Sequence, residues 1–201
     1  MPIWKKQLIQ DPILAPLIES IKLEPTEVSD DVYFRLIRAI VYQQLSGKAA
    51  ATIFGRFEQL FSDGYPHPEM LLDLPISSLR AAGLSNQKAT YVQHVARYFI
   101  EEDLMRQDWS CLPDDVIQNR LTAIKGVGKW TAQMILIFTL GRKDIFPLGD
   151  LAIRQSMQEL YQVNSKGKQL EKDLCRIAAA WRPYRSVASR YLWAWRDARL
   201  P

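Results

Sequence analysis

Residues 121–140 read LTAIKGVGKWTAQMILIFTL. Two apolar segments with helical spacing flank Gly126 and Gly128, and Trp130 follows shortly after the second glycine. Without a Cβ, each glycine tolerates positive φ and lets another backbone come close. The pattern predicts one helix from Pro113, as a first-turn proline, through Ala123, and a second from Lys129 to Leu140, stopped by Gly141. A plain helix–turn–helix connection satisfies this stretch. So does an anion site: the start of the second helix carries unpaired N–H groups and the positive end of its dipole, which suits a phosphate. Lys125 and Lys129 flank the turn and add long-range attraction.

Outward from the hairpin, almost every segment has the helical period. From Asp31 to Leu45, Val32, Leu36, Ile40 and Val41 form one stripe, with Ser29 as a candidate cap. After a break at Gly47, Ala50, Ile53, Phe54, Phe57 and Phe61 repeat the pattern. GYPHPE at 64–69 reads as a loop. A short helix is expected over 76–82, then one capped by Ser85 and running to about Ile100. RKDIFPLGD forms a loop, and three more helices are expected at 150–161, 168–181 and 183–199. Alternating strand patterns are absent, so the fold expected is all-α.

The chain has 201 residues, 48% apolar, with a net charge of +4. These values argue for a globular fold, and the mild basicity permits a nucleic-acid partner without demanding one. No apolar run reaches the roughly 18 residues of a membrane span, and the N-terminus lacks a signal-peptide pattern. No membrane association is expected, and the location expected is intracellular: cytoplasmic in a bacterium, nuclear in a eukaryote. Cys111 and Cys175 stand far apart with no CxxC partner, so they cannot build a zinc or iron–sulfur site alone. Six tryptophans suggest aromatic surfaces beyond core filling.

The ordered set L-x-x-I-K-G-V-G-K-W-T-A, F-P-L-G-D, AIVYQQLSGKAA at 39–50, AAGLSNQKATYV at 81–92 and WRPYRSVASRYLW at 181–193 resembles the helix-hairpin-helix DNA glycosylase superfamily. The likeness is close to its 3-methyladenine DNA glycosylase II branch. It covers the chain from about residue 30 to the end, and the first 30 residues match less clearly. The resemblance implies two small helical subdomains with a DNA-binding cleft between them. One would span 31–149 and end in the helix-hairpin-helix at about 113–140; the other would combine 1–30 with 150–201. Large members of the branch carry an additional N-terminal β-containing domain, for which no room is expected here.

The resemblance also assigns roles. The amides of Gly126, Gly128 and Thr131 would face DNA phosphate. The carbonyls of Thr122, Ile124 and Val127 would ligate a Na⁺ or K⁺ that bridges to phosphate, and no other cofactor is implied. Asp150, by its local sequence a helix N-cap, aligns with the catalytic aspartate. The roles are compatible, because cleaving a glycosidic bond builds positive charge that an ionised carboxylate stabilises. Members that also cut the strand use a lysine where this chain has Trp130; a monofunctional hydrolase is therefore expected. Trp130 and Trp193 match aromatic positions lining the base pocket, and an indole face attracts a cationic alkylpurine by roughly 0.5–2 kcal/mol. Core packing is the alternative for each. Met134, one turn on, would also face the pocket.

Gln44 aligns with the wedge that fills the gap left by a flipped base, with Gln43 and Ser46 as minor-groove candidates; solvent-facing helix-end residues are the alternative. Arg185 and Ser186 would hold phosphate or brace the Asp150 region. SNQK at 85–88 would touch the DNA backbone or be a capped surface turn. The expected activity is excision of alkylated purines from double-stranded DNA by a monomer. A helix-hairpin-helix protein that binds DNA without catalysis is the competing reading, and a glycosylase for mismatched or oxidised bases is a third.

Overall fold

A computed structural model describes residues 1–199, and no strand occurs among them. The chain divides into two compact units, one of Val28–Ile135 and the other of Met1–Glu27 with the chain from Leu136 onward. The expected boundary at 149 therefore falls at 135. The loop that carries the F-P-L-G-D motif is built into the terminal unit.

In the central unit, α3 (Val32–Tyr42), α4 (Gly47–Glu58), α5 (Pro68–Asp73), α6 (Ile76–Ala81), α7 (Asn86–Glu101), α8 (Asp114–Thr122) and α9 (Lys129–Met134) come in that order. α7 is the hub, packing against α3, α5 and α6. Its inward stripe, Val92, Val95, Ala96 and Phe99, is buried, as is the α3 stripe of Val32, Leu36, Ile40 and Val41. Asp31, not Ser29, caps α3: its carboxylate accepts from the Phe34 amide, while Ser29 Oγ accepts from the Asp31 amide. Pro113 is the N-cap of α8 rather than its first-turn residue. α5 occupies the end of the stretch read as a loop, with Pro68 opening it.

The helix expected over 129–140 is two elements. α9 gives way at Ile135 to a π-helical turn, Ile135–Thr139. Such a turn inserts one residue into the helix and rotates the side chains beyond it. Here Phe138 is left exposed between the buried Ile137 and Thr139.

The terminal unit holds α1 (Ile3–Leu8), α2 (Leu14–Ser20), α10 (Leu151–Leu160), α11 (Gly167–Ala179) and α12 (Arg185–Asp197). Leu8, Leu14, Leu17 and Ile18 pack with Ile153, Met157, Leu170, Leu174, Trp181 and Leu192 in one core. Asp11 joins distant parts of it. One carboxylate oxygen accepts from the amides of Ile13 and Leu14, the other from Trp181 Nε1 at 2.8 Å and Tyr161 Oη at 2.7 Å. No helix among the described residues is long and apolar enough to cross a membrane.

Candidate nucleic-acid interface and active site

The glycine turn joins α8 to α9. Gly126 has φ +102, in the region that disfavours side chains, whereas Gly128 is the extended N-cap of α9 at φ −85. The two glycines therefore serve different ends. A Cβ on Gly126 would lie 2.3 Å from Cγ of Tyr91 on α7, so this glycine is demanded by packing. A Cβ on Gly128 would meet nothing within 4 Å, and Gly128, Lys125 and Lys129 are all exposed. The first intrahelical bond of α9 runs from the Ala132 amide to the Gly128 carbonyl. Amides earlier in that turn, Thr131's among them, have no carbonyl one turn back within the helix. Of the carbonyls expected to hold a cation, that of Ile124 already accepts from the Val127 amide at 3.0 Å. The second lone pair of a carbonyl leaves it able to ligate.

In the same unit a cavity of about 430 Å³ is lined by Ala39, Tyr42, Gln43, Gln44, Trp130, Thr131 and Met134. Its size lies within the roughly 300–1,000 Å³ of small-molecule sites. Trp130 is 47% exposed, which excludes a core role for it. Gln43 and Gln44 belong to the loop between α3 and α4, where Gln44 has φ +57. That is strained for a residue with a side chain. Ser46 is the exposed N-cap of α4 and makes no side-chain capping bond. Tyr42 escaped notice in the sequence because it sits in a periodic helix. Its ring borders the cavity and the Arg38 guanidinium lies over it, 4.1 Å from the centroid.

Lys88 does not stand on the surface as a free cation for DNA. Ser85 does cap α7, but the Lys88 ammonium donates to the carbonyls of Val41 at 2.8 Å and Gln43 at 2.6 Å. It is spent inside the protein, and burial holds its pKa below the usual lysine value.

The terminal unit carries Asp150. It caps α10, with Oδ1 accepting from the Ile153 amide at 2.9 Å. The same oxygen accepts from Trp193 Nε1 at 3.0 Å, and Asp150 is only 9% exposed. The two N–H donors fix the orientation of this buried carboxylate. Trp193 thus acts on the aspartate directly, and its ring packs on Phe138, centroids 5.6 Å apart. Arg185 and Ser186 brace the loop before Asp150. Arg185 Nε and Nη2 grip the Asp144 carboxylate at 2.7 and 2.9 Å. Ser186 Oγ accepts from the Ile145 amide at 2.9 Å, and its own amide donates to the Lys143 carbonyl. Neither Phe138 nor Asp144 was legible in the sequence, since their partners lie far along the chain. Cys111 and Cys175 are free thiols.

Residues 37–180 match the model of the HhH-GPD superfamily base excision DNA repair proteins. DNA-3-methyladenine glycosylase 1 of Schizosaccharomyces pombe is 32% identical across 94% of this chain and 80% of its own length. A Bacillus subtilis relative is 33% identical, and the chain spans 64% of its length. Among solved structures, a DNA-3-methyladenine glycosidase of Bacillus halodurans superposes with a TM-score of 0.82 at 35% identity, over 97% of this chain and 89% of that one. The Schizosaccharomyces pombe 3-methyladenine DNA glycosylase, solved with abasic DNA, gives 0.79 at 30% identity, over 96% and 95%. With an oriented aspartate, a glycine hairpin and matches of this extent, the chain belongs to the HhH-GPD superfamily of base excision DNA repair proteins.

Proposed function

We propose that this protein is a monofunctional DNA glycosylase that excises alkylated purines, of the 3-methyladenine and 7-methylguanine type, from double-stranded DNA. The observation that carries the reading is the Asp150 carboxylate, buried and held by Ile153 N–H and Trp193 Nε1–H. The base must first leave the stack, at a cost of a few kcal/mol. The turn of Lys125–Lys129, exposed at Lys125, Gly128 and Lys129, supplies backbone N–H groups and two lysines to hold the phosphate backbone. A Na⁺ or K⁺ on the carbonyls of Thr122, Ile124 and Val127 would add a bridge to phosphate, because carbonyl oxygens suit hard cations. Gln44 fills the gap left in the duplex, with Gln43 and Ser46 near the minor groove.

The cavity bordered by Trp130 and Met134 offers an aromatic wall to a flat, electron-poor base. The C1′–N bond breaks with its electron pair leaving on the base, which alkylation has already made a good leaving group. Positive charge builds on the sugar, and the Asp150 carboxylate stabilises it. Water then bonds to C1′ and gives up a proton to Asp150 or solvent. No amine stands at position 130 to attack the sugar in water's place, so the strand is left intact. One copy of the chain suffices for these steps.

The test is base release from methylated duplex DNA, with strand breaks scored before and after alkali. Asp150→Asn should lower release by roughly 10²–10³, the scale set by removing one preorganised electrostatic contact. Breaks should appear only after alkali. Undiminished release by the variant refutes the catalytic assignment, and breaks without alkali refute the monofunctional one.

A further inference from the structure

The loop after α3 is held by a contact that the proposed chemistry does not use. Lys88 rises from the first turn of α7, its amide bonded to Ser85 Oγ at 3.2 Å, and its ammonium grips the carbonyls of Val41 and Gln43. Carbonyls at the end of a helix lack intrahelical donors and carry the negative end of the dipole, so a cation there satisfies both. Gln44 follows the second gripped carbonyl directly, and its φ is +57. A left-handed conformation at a residue with a side chain persists only where its surroundings enforce it. The Gln44 side chain borders the cavity beside Trp130.

We propose that Lys88 is a positioning residue: by clamping the Val41 and Gln43 carbonyls it holds Gln44 in the left-handed conformation that presents it to the duplex. This rests on the reading of Gln44 as the wedge. Lys88 touches neither substrate nor reacting atoms; it removes the cost of ordering the loop at the moment of insertion. It therefore matters where a gap in a duplex must be filled, and not where the damaged base is already unstacked.

Base release is measured for one methylated strand, alone and in duplex, and the duplex-to-single-strand ratio is compared between variants. The ratio is insensitive to the fraction of protein that is folded. Lys88→Met should lower it by about tenfold or more, since two charge-assisted hydrogen bonds are lost. Lys88→Arg, which keeps the charge and donors, should restore most of it. Lys88→Gln, with one neutral donor, offers a milder variant should the methionine chain not fold, and its ratio should also fall. In a Gln44→Ala background Lys88→Met should add nothing, because both changes act through one side chain. An unchanged ratio, or losses that add in the double variant, overturns the proposal. If the unmodified protein releases no base from either substrate, the glycosylase reading itself fails and takes this proposal with it.

Discussion

Replacing Gly126 with alanine should unfold the protein more readily, by an amount the geometry bounds. The first contribution is conformational: at φ +102 an L side chain costs about 1–2 kcal/mol. The second is steric. The new Cβ would sit 2.3 Å from Tyr91 Cγ, 2.5 Å from Cδ2 and 2.8 Å from Cβ. These atoms are close to the α7 backbone and cannot swing away as a flexible tip would, so overpacking adds about 1–3 kcal/mol. The sum, roughly 2–5 kcal/mol, corresponds to a Tm drop of about 4–20 °C for a chain of this size. Thermal unfolding followed by circular dichroism reads it. Against a Tyr91→Ala background Gly126→Ala should cost less, because the ring atoms at 2.3 and 2.5 Å are gone while the Cβ contact at 2.8 Å remains. Gly128→Ala is the control, because its Cβ meets nothing within 4 Å. That change should stay within about 1 kcal/mol in stability yet weaken binding to duplex DNA carrying an abasic analogue. An undisturbed Tm for Gly126→Ala, or no relief from Tyr91→Ala, refutes the packing argument. Full DNA affinity in Gly128→Ala refutes the idea that its open face is kept for phosphate.

Three further outcomes are expected. Trp193→Phe keeps the ring against Phe138 but removes the N–H on Asp150 Oδ1; base release should slow by about tenfold or more, from the roughly 1.5–3 kcal/mol of a charge-assisted bond, while DNA affinity holds. Single-turnover kinetics beside a binding titration separate the two, and an unchanged rate shows that the aspartate needs no such donor. Arg185→Met strips Asp144 of its main partner in a pair whose side chains are 19% and 24% exposed. The stability cost should be about 1–3 kcal/mol, below that of a fully buried pair; denaturant unfolding tests it, and a change under half a kilocalorie would mean the loop is braced otherwise. The third concerns pH. Hydrogen bonds from Cys111 and Ser110 hold the Asp108 carboxyl down at about 2. Its folded pKa is below its unfolded value, so the stability it contributes is present above pH ~4 and is lost as pH falls through about 2. A carbon-13 titration with its midpoint near the ordinary 3.8 would contradict those hydrogen bonds.

Where a feature depended on neighbours within one helical turn, it was readable from the chain. The burial of the α3 and α7 stripes comes from spacing alone. So do the caps at Ser85 and Asp150, whose side chains accept amides only three residues ahead. The glycine turn and the overall helical class belong to this group too. In each case the partner groups are covalently close, and the local sequence states the geometry.

The rest waited for groups far apart in sequence to meet. Nothing local distinguishes Gly126 from Gly128; the difference is the Tyr91 ring on another helix. Lys88 reads as a surface cation until its ammonium is seen on carbonyls 47 and 45 residues away. The hydrogen bond from Trp193 to Asp150 spans 43 residues, and the Arg185–Asp144 brace spans 41. Periodicity likewise missed the π-helical turn at Ile135–Thr139, where the buried pattern continues while the hydrogen-bond register changes. The sequence by itself determined most of the helical segments from Asp31 onward, α5 excepted, and which carboxylate caps the helix after the F-P-L-G-D loop. Only the tertiary structure decided what holds that carboxylate and what strains Gln44, because those are contacts between helices, and spacing along one helix carries no information about the face of another.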